Sequence, residues 1–163
     1  MDLHLSHRTI LKNEYEFICQ LPHNAEELYY MFPKAAYPLT VDQLETAINN
    51  RHDNTVILSD NTILAFANFY EVKENDYCSI GNVIVNPDFR KQGIGEFLIR
   101  TMEQIACTKY DINEIHLACF NNNTKGILLY AKLGYRPYEI EERINKEGEK
   151  TALLKMRKII KQP

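Results

Sequence analysis

The chain has no apolar run approaching the roughly 18 residues of a membrane-spanning helix, and Met1-Asp2-Leu3-His4 lacks the basic-then-apolar order of an export signal. These absences leave no reason to expect a membrane partner and set the expectation of a cytoplasmic protein. The four cysteines, Cys19, Cys78, Cys107 and Cys119, lie far apart with no C-x-x-C pair. Their spacing argues against a disulfide framework and favours buried thiols in a reducing compartment. His4, His7, His23 and His52 show no metal-ligand spacing with one another or with cysteine, so no metal is expected. Nor is there an excess of positive charge: the net charge is −3 and the pI about 6.0, which gives nucleic acid and anionic membranes no overall attraction. No linker, repeat or low-complexity tract interrupts the chain. One domain over residues 1–163 is the expectation.

What is present fits a soluble fold with a sizeable core, since 45% of the 163 residues are apolar and 25% charged. Helices are expected near Glu14 to Gln20, Ala25 to Phe32 and Val41 to Asn50, the last introduced by Pro38, with Thr40 and Gln43 as a capping box. Thr55 to Ser59 and Ile63 to Tyr70 read as a hairpin about Asp60-Asn61, and Tyr77 to Val85 as a third strand after the turn Glu74-Asn75-Asp76. Ile94, Phe97, Leu98, Met102 and Ile105 then recur at helical spacing, an amphipathic stripe that belongs to the core. Strand Glu114 to Phe120, helix Thr124 to Leu133 stopped by Gly134, and strand Thr151 to Met156 complete the series. Strand, helix, strand implies a parallel crossover.

The junction from Val83 to Gly95 carries the chemistry. A strand ends at Pro87, Arg90 and Lys91 follow, and a helix begins at Gly93-Ile94-Gly95. First-turn amides have no helical partner and sit at the positive end of the helix dipole, so an anion binds there readily. Glycines let a phosphate approach the main chain and permit positive φ. The spacing G-x-G alone fits an unliganded helix entry equally well, and the flanking residues favour the anion site.

Val83-x-Val85-x-Pro87 followed by Arg90-x-x-Gly93-x-Gly95 resembles the acyl-coenzyme A motif of the GNAT N-acetyltransferases. Asn123 to Tyr135 resembles the family's second signature, N-x-x-A-x-x-x-Y-x-x-x-G-F, with Gly126 in place of Ala and Tyr135 in place of Phe. The resemblance covers about Thr55 to Met156, and the first fifty residues agree only in being helical. It implies an α/β (α+β) fold: a mixed, mostly antiparallel sheet with a splayed parallel strand pair and helices on both faces. Coenzyme A would lie in the wedge between the strands that hold Val83 and Glu114 to Phe120.

On that resemblance Val83, Ile84 and Val85 would meet the pantetheine. Main-chain amides of Lys91, Gln92, Gly93, Ile94, Gly95 and Glu96 would hold the pyrophosphate, with Glu96 giving only its backbone and Arg90 either touching ligand or bracing the loop. Asn123 would bond the pantetheine arm, cap its helix, or both. Tyr130 would protonate the departing thiolate, whose pKa is about 8.5. A core tyrosine is the alternative. An acetyl group would pass directly from acetyl-coenzyme A to a primary amine, with no covalent enzyme intermediate and no metal.

A general base is less evident. A lysine-like amine is neutral only about once in 2,500 molecules at pH 7, a penalty of about 4.6 kcal/mol. Many members of the family use a glutamate on one of the splayed strands, and Tyr77 to Val85 holds no acid. His116, Glu71 and water are the candidates.

The acceptor stays open between a small-molecule amine, favoured, and a protein N-terminus or lysine. A non-catalytic acyl-coenzyme A-binding regulatory module is the reading from another class. A dinucleotide-binding domain fits poorly, because no acidic ribose ligand follows the glycines at about twenty residues. Tyr29, Tyr30 and Tyr37 could wall an amine site or simply pack. The acidic stretch Glu139 to Glu142 reads as solvated charge near a strand end. Thr151 to Met156 could pair within the chain or across a homodimer.

Overall fold

The computed structural model describes residues 2–160. Strand β1 (Leu5–Thr9) leads through a 3-10 turn into helices α1 (Tyr15–Cys19), α2 (Ala25–Met31) and α3 (Val41–Asn49). Strands β2 (His52–Ser59), β3 (Thr62–Lys73) and β4 (Tyr77–Val85) follow, then α4 (Ile94–Tyr110), β5 (Glu114–Phe120), α5 (Thr124–Lys132), β6 (Arg136–Ile144) and β7 (Lys150–Ile159). Among the described residues the seven strands form one sheet in the order β1-β2-β3-β4-β5-β7-β6, in which only β4 and β5 run parallel, joined by the α4 crossover.

Alternation along the central strands sorts the core into two layers. Ile57, Ala65, Ala67 and Phe69 pack with Leu98 and Met102 of α4 and Tyr130 of α5, whereas Val56, Leu58, Phe66 and Ile84 pack with Ile18, Leu28 and Leu44 of α1 to α3. Helices therefore cover both faces of a mixed, mostly antiparallel sheet, the expected fold.

Two irregularities of β4 create the site. Its register with β3 passes from Phe66 opposite Ile84 to Asn68 opposite Gly81, so β4 carries one extra residue, and Asn82 there has φ +51°. A buried amide network holds this bulge. Asn68 Nδ2 donates to Asn82 Oδ1 at 2.9 Å and to Asn54 Oδ1 at 3.0 Å, while Asn82 Nδ2 donates to the Met31 carbonyl at 3.0 Å. The second irregularity is a parting. β4 and β5 pair only at Tyr77–Glu114, Cys78–Ile115 and Ser79–His116, while β5 stays paired with β7 as far as Phe120. Beyond Ser79 the facing edges diverge and leave main-chain groups to find other partners.

Three details correct the sequence reading. β1 and β6 are additional strands, so the acidic stretch lies inside β6, where Glu139 and Glu141 meet Lys155 at 3.3 and 3.0 Å. β7 lies between β5 and β6, which means the C-terminal strand pairs within the chain. The capping box is only half formed: Thr40 Oγ1 accepts from the Gln43 amide at 3.3 Å, but the Gln43 side chain turns to Ala36, accepting from its N–H at 2.7 Å and donating to its carbonyl at 3.1 Å.

Candidate active site

The parting of β4 and β5 opens a cleft of about 1200 Å³, bounded by α2, the start of α4, α5 and the β6–β7 hairpin. At its α4 end Lys91 (φ +62°) and Gly93 (φ +79°) turn the chain so that successive amides converge. The first helical bond is closed by the Phe97 N–H onto the Gly93 carbonyl at 3.1 Å, so the amides of Ile94, Gly95 and Glu96 precede it. A β-carbon on Gly93 would touch nothing within 4 Å, which leaves open space over those donors. Gly95 has a different task. Its β-carbon would lie 3.1 Å from Leu129 Cδ2 and 3.6 Å from Val85 Cγ2, so it sets the close approach of α4 to α5 and β4.

Two charged side chains of this turn, Arg90 and Glu96, are engaged elsewhere. Arg90 Nη1 donates to Glu27 Oε1 at 2.7 Å, and Glu27 also accepts from the His23 amide at 2.8 Å, so Arg90 braces the turn against α2. Burial pushes the Glu27 carboxyl upward, but the bonds from Arg90 and His23 outweigh it and hold it below the usual value. Glu96 accepts from Lys132 at 3.1 Å and from Arg100 at 3.2 Å, which leaves its backbone for the nest. Along β4, Val83 and Val85 are half-buried on the α4 side, and Ile84 is buried against α1 to α3. Gln92 is exposed beside the nest and Ile94 is buried.

Asn123 caps α5 through Oδ1, which accepts from the Gly126 amide at 3.1 Å. The glycine has a physical reason: a β-carbon at 126 would fall 2.7 Å from Asn123 Nδ2 and 3.0 Å from Cys119 Sγ. Tyr130, one turn farther, is 7% exposed and lines the cleft. Burial, then the neighbouring Cys119, raises its pKa, so the phenol keeps its proton through the physiological range. Burial also pushes the Cys119 thiol up to about 12, which removes it as a nucleophile. Tyr135, in place of the signature's phenylalanine, donates its hydroxyl to Glu103 at 2.8 Å.

The two side chains weighed as bases lie outside the cleft. His116 stacks on Tyr77 with ring centroids 4.4 Å apart and has Nε2 3.3 Å from Glu114. The Glu71 carboxylate accepts from the Tyr77 hydroxyl at 2.5 Å. Neither is brought to Tyr130. Of the three early tyrosines, Tyr29 stacks on Phe120 at 4.5 Å, Tyr30 lines the cleft, and Tyr37 is exposed. Lys146, in the β6–β7 turn, donates Nζ to the Ala35 carbonyl and ties that turn to the α2–α3 connection.

A side chain that no local pattern announces also lines the cleft. Arg51 follows α3 and lies with Cζ 5.7 Å from the Phe32 ring and 5.5 Å from that of Tyr70. Among the described residues, no ring of His, Cys, Asp and Glu able to hold a metal is found, and no helix is long and apolar enough to cross a membrane.

Residues 15–135 match the model of the acetyltransferase (GNAT) family. The chain belongs to that family. It is an acyltransferase by that membership, and its solved structural neighbours share the fold. A spermidine N-acetyltransferase from Vibrio cholerae, in complex with CoA and spermine, superposes with a TM-score of 0.79 at 20% identity, covering 95% of each chain. The ribosomal-protein-S18-alanine N-acetyltransferase from Escherichia coli gives 0.76 at 19% identity over 98% of this chain and 96% of that one. A GNAT-family acetyltransferase from Streptococcus pneumoniae gives 0.70 at 15% identity, over 96% of this chain and all of the other. No curated protein sequence matches the chain. At these identities the neighbours speak for the GNAT fold and leave the acceptor to the residues of the cleft.

Proposed function

We propose that this GNAT chain acts over residues 1–163 as one cytoplasmic unit that moves an acetyl group from acetyl-coenzyme A to the primary amine of a small molecule. The observation that carries the reading is the end of β4–β5 pairing at Ser79 and His116, which exposes two main-chain edges beside Tyr130 and the Gly93 turn. The residues suit such a cosubstrate. Edges of β4 from Val83 to Val85 bond an amide-rich arm, and first-turn amides from Lys91 to Glu96 meet a diphosphate. Asn123 keeps Nδ2 for the arm while Oδ1 caps α5.

Acetyl-coenzyme A supplies the thioester, and the chain's residues orient it and manage a proton. Tyr130 holds its proton near the departing sulfur, and with its pKa raised it stays a donor while a thiol of pKa about 8.5 leaves. Water is the route for the amine proton, since His116 and Glu71 lie outside the cleft. Lys146, which lines the cleft, ties the β6–β7 turn to Ala35 of the α2–α3 connection, and a cleft strapped in this way suits a small amine better than a protein terminus. The test is release of free coenzyme A over a panel of small amines and N-terminal peptides. Turnover of small amines above peptides supports the reading, and the reverse order transfers it to protein acetylation.

A further inference from the structure

We propose that Arg51 is the carboxylate anchor of the acceptor site, so that the amine this chain acetylates belongs to a free amino acid. This rests on the acetyl-transfer reading above and names its substrate class. Arg51 lines the same cleft as Tyr130 and is half-buried, flanked by the Phe32 and Tyr70 rings. Nη1 donates to Asn68 Oδ1 at 3.1 Å, and among the described residues no carboxylate lies within ion-pair distance of the guanidinium. Glu27, a carboxylate of the same cleft, is taken by Arg90. A half-buried cation met by a neutral amide and two ring faces, with no anion beside it, is only partly compensated for its desolvation. That cost is visible as a lowered Arg51 pKa, with burial as its leading cause.

The seat is built for the guanidinium. A β-carbon on Gly81 would fall 2.6 Å from Arg51 Nη1 and 2.7 Å from Tyr70 Cδ1, so the glycine makes the room. Asn68, which fixes Nη1, belongs to the amide network that holds the β4 bulge. Arginine has five donors in a planar fork that matches a carboxylate, and the two rings keep it preorganised. It does not serve the diphosphate. Gly81 lies four residues before Val85, about 13 Å along the strand from the end that leads to the Gly93 turn. A carboxylate held at Gly81 leaves the amine of the same molecule free to extend along the parted strands.

The test pairs each of a set of L-amino acids with its carboxamide, with polyamines alongside, and measures coenzyme A release by wild-type, Arg51→Gln and Arg51→Lys proteins. Acetyl-coenzyme A affinity and thermal stability are measured for each. The wild type should prefer the acid over its amide by about 10-fold or more in kcat/KM, the size of a charge-assisted pair. Arg51→Gln should raise KM for the acid and erase that preference, leaving coenzyme affinity in place. Arg51→Lys should recover part of it. Equal use of acid and amide, preference for polyamines, or a preference that survives Arg51→Gln overturns the anchor, as does a loss confined to stability. Absence of acetyl-coenzyme A binding in the wild type overturns instead the reading beneath it.

Discussion

The Tyr135 hydroxyl donates to Glu103 at 2.8 Å, and Lys158 Nζ reaches the same carboxylate at 2.9 Å. This triad, with Tyr135 and Glu103 buried and Lys158 half-buried, joins α4 to the turn after α5 and to β7, behind the cleft wall that holds Tyr130. Removing the hydroxyl by Tyr135→Phe leaves Glu103 with Lys158 alone. A loss of about 1–3 kcal/mol is expected, the worth of a bond to a charged group. Urea denaturation should show it as a lower midpoint at unchanged slope, with acetyl-coenzyme A affinity retained.

Tyr130→Phe should lower kcat by about 100-fold, the lower end of what a positioned acid contributes. Acetyl-coenzyme A affinity should hardly move. Because burial raises the Tyr130 pKa, the wild type should show no loss of kcat from this group as pH rises towards 10, the ordinary phenol value. Equal loss of affinity and turnover would mark Tyr130 as a packing residue.

Glu27 gives a pH signature. Its folded pKa lies below its usual value, so the stability it adds through Arg90 is complete above the unfolded carboxylate pKa of about 4.3 and fades as pH falls through the folded value. Glu27→Gln should therefore cost about 1 kcal/mol at pH 7, where the pair is only partly buried. The gap between the two proteins should close at low pH. Thermal melts at pH 7 and pH 3 decide it.

Cys119 lines the cleft but is held as a thiol, its pKa pushed up to about 12 by burial. Cys119→Ala should keep acetyl transfer to within about 3-fold, since direct transfer asks nothing of this sulfur and a thiolate alone would be the nucleophile. Mass spectrometry of wild-type protein mixed with acetyl-coenzyme A should find no acetyl adduct at this position.

Much of the catalytic half is legible in the sequence because its signals are local. β5 runs over Glu114–Phe120 as expected, and Gly93 begins α4 with the positive φ its residue type allows. β1 and β6 are illegible for a physical reason. Both are edge strands with almost no buried face, so neither carries a sustained apolar stripe, and β6 also carries Pro137 and three glutamates. Arg51 is hidden differently. Its meaning comes from Phe32, Tyr70 and Gly81, which only the folded sheet brings together. The missing acid of β4 is plain in the sequence, whereas the seclusion of His116 against Tyr77 and Tyr138 appears only in the fold.

Calorimetric titration of acetyl-coenzyme A into wild-type and Gly93→Asn proteins measures most directly whether the parted β4–β5 edges and the Gly93 turn cradle the cosubstrate. Asparagine tolerates the φ of +79° but places a side chain over the first-turn amides. Such a cradle should give saturable one-to-one binding by the wild type and a loss of about 10-fold or more in the variant at a similar melting temperature. No binding by the wild type, or equal binding by both, would contradict it.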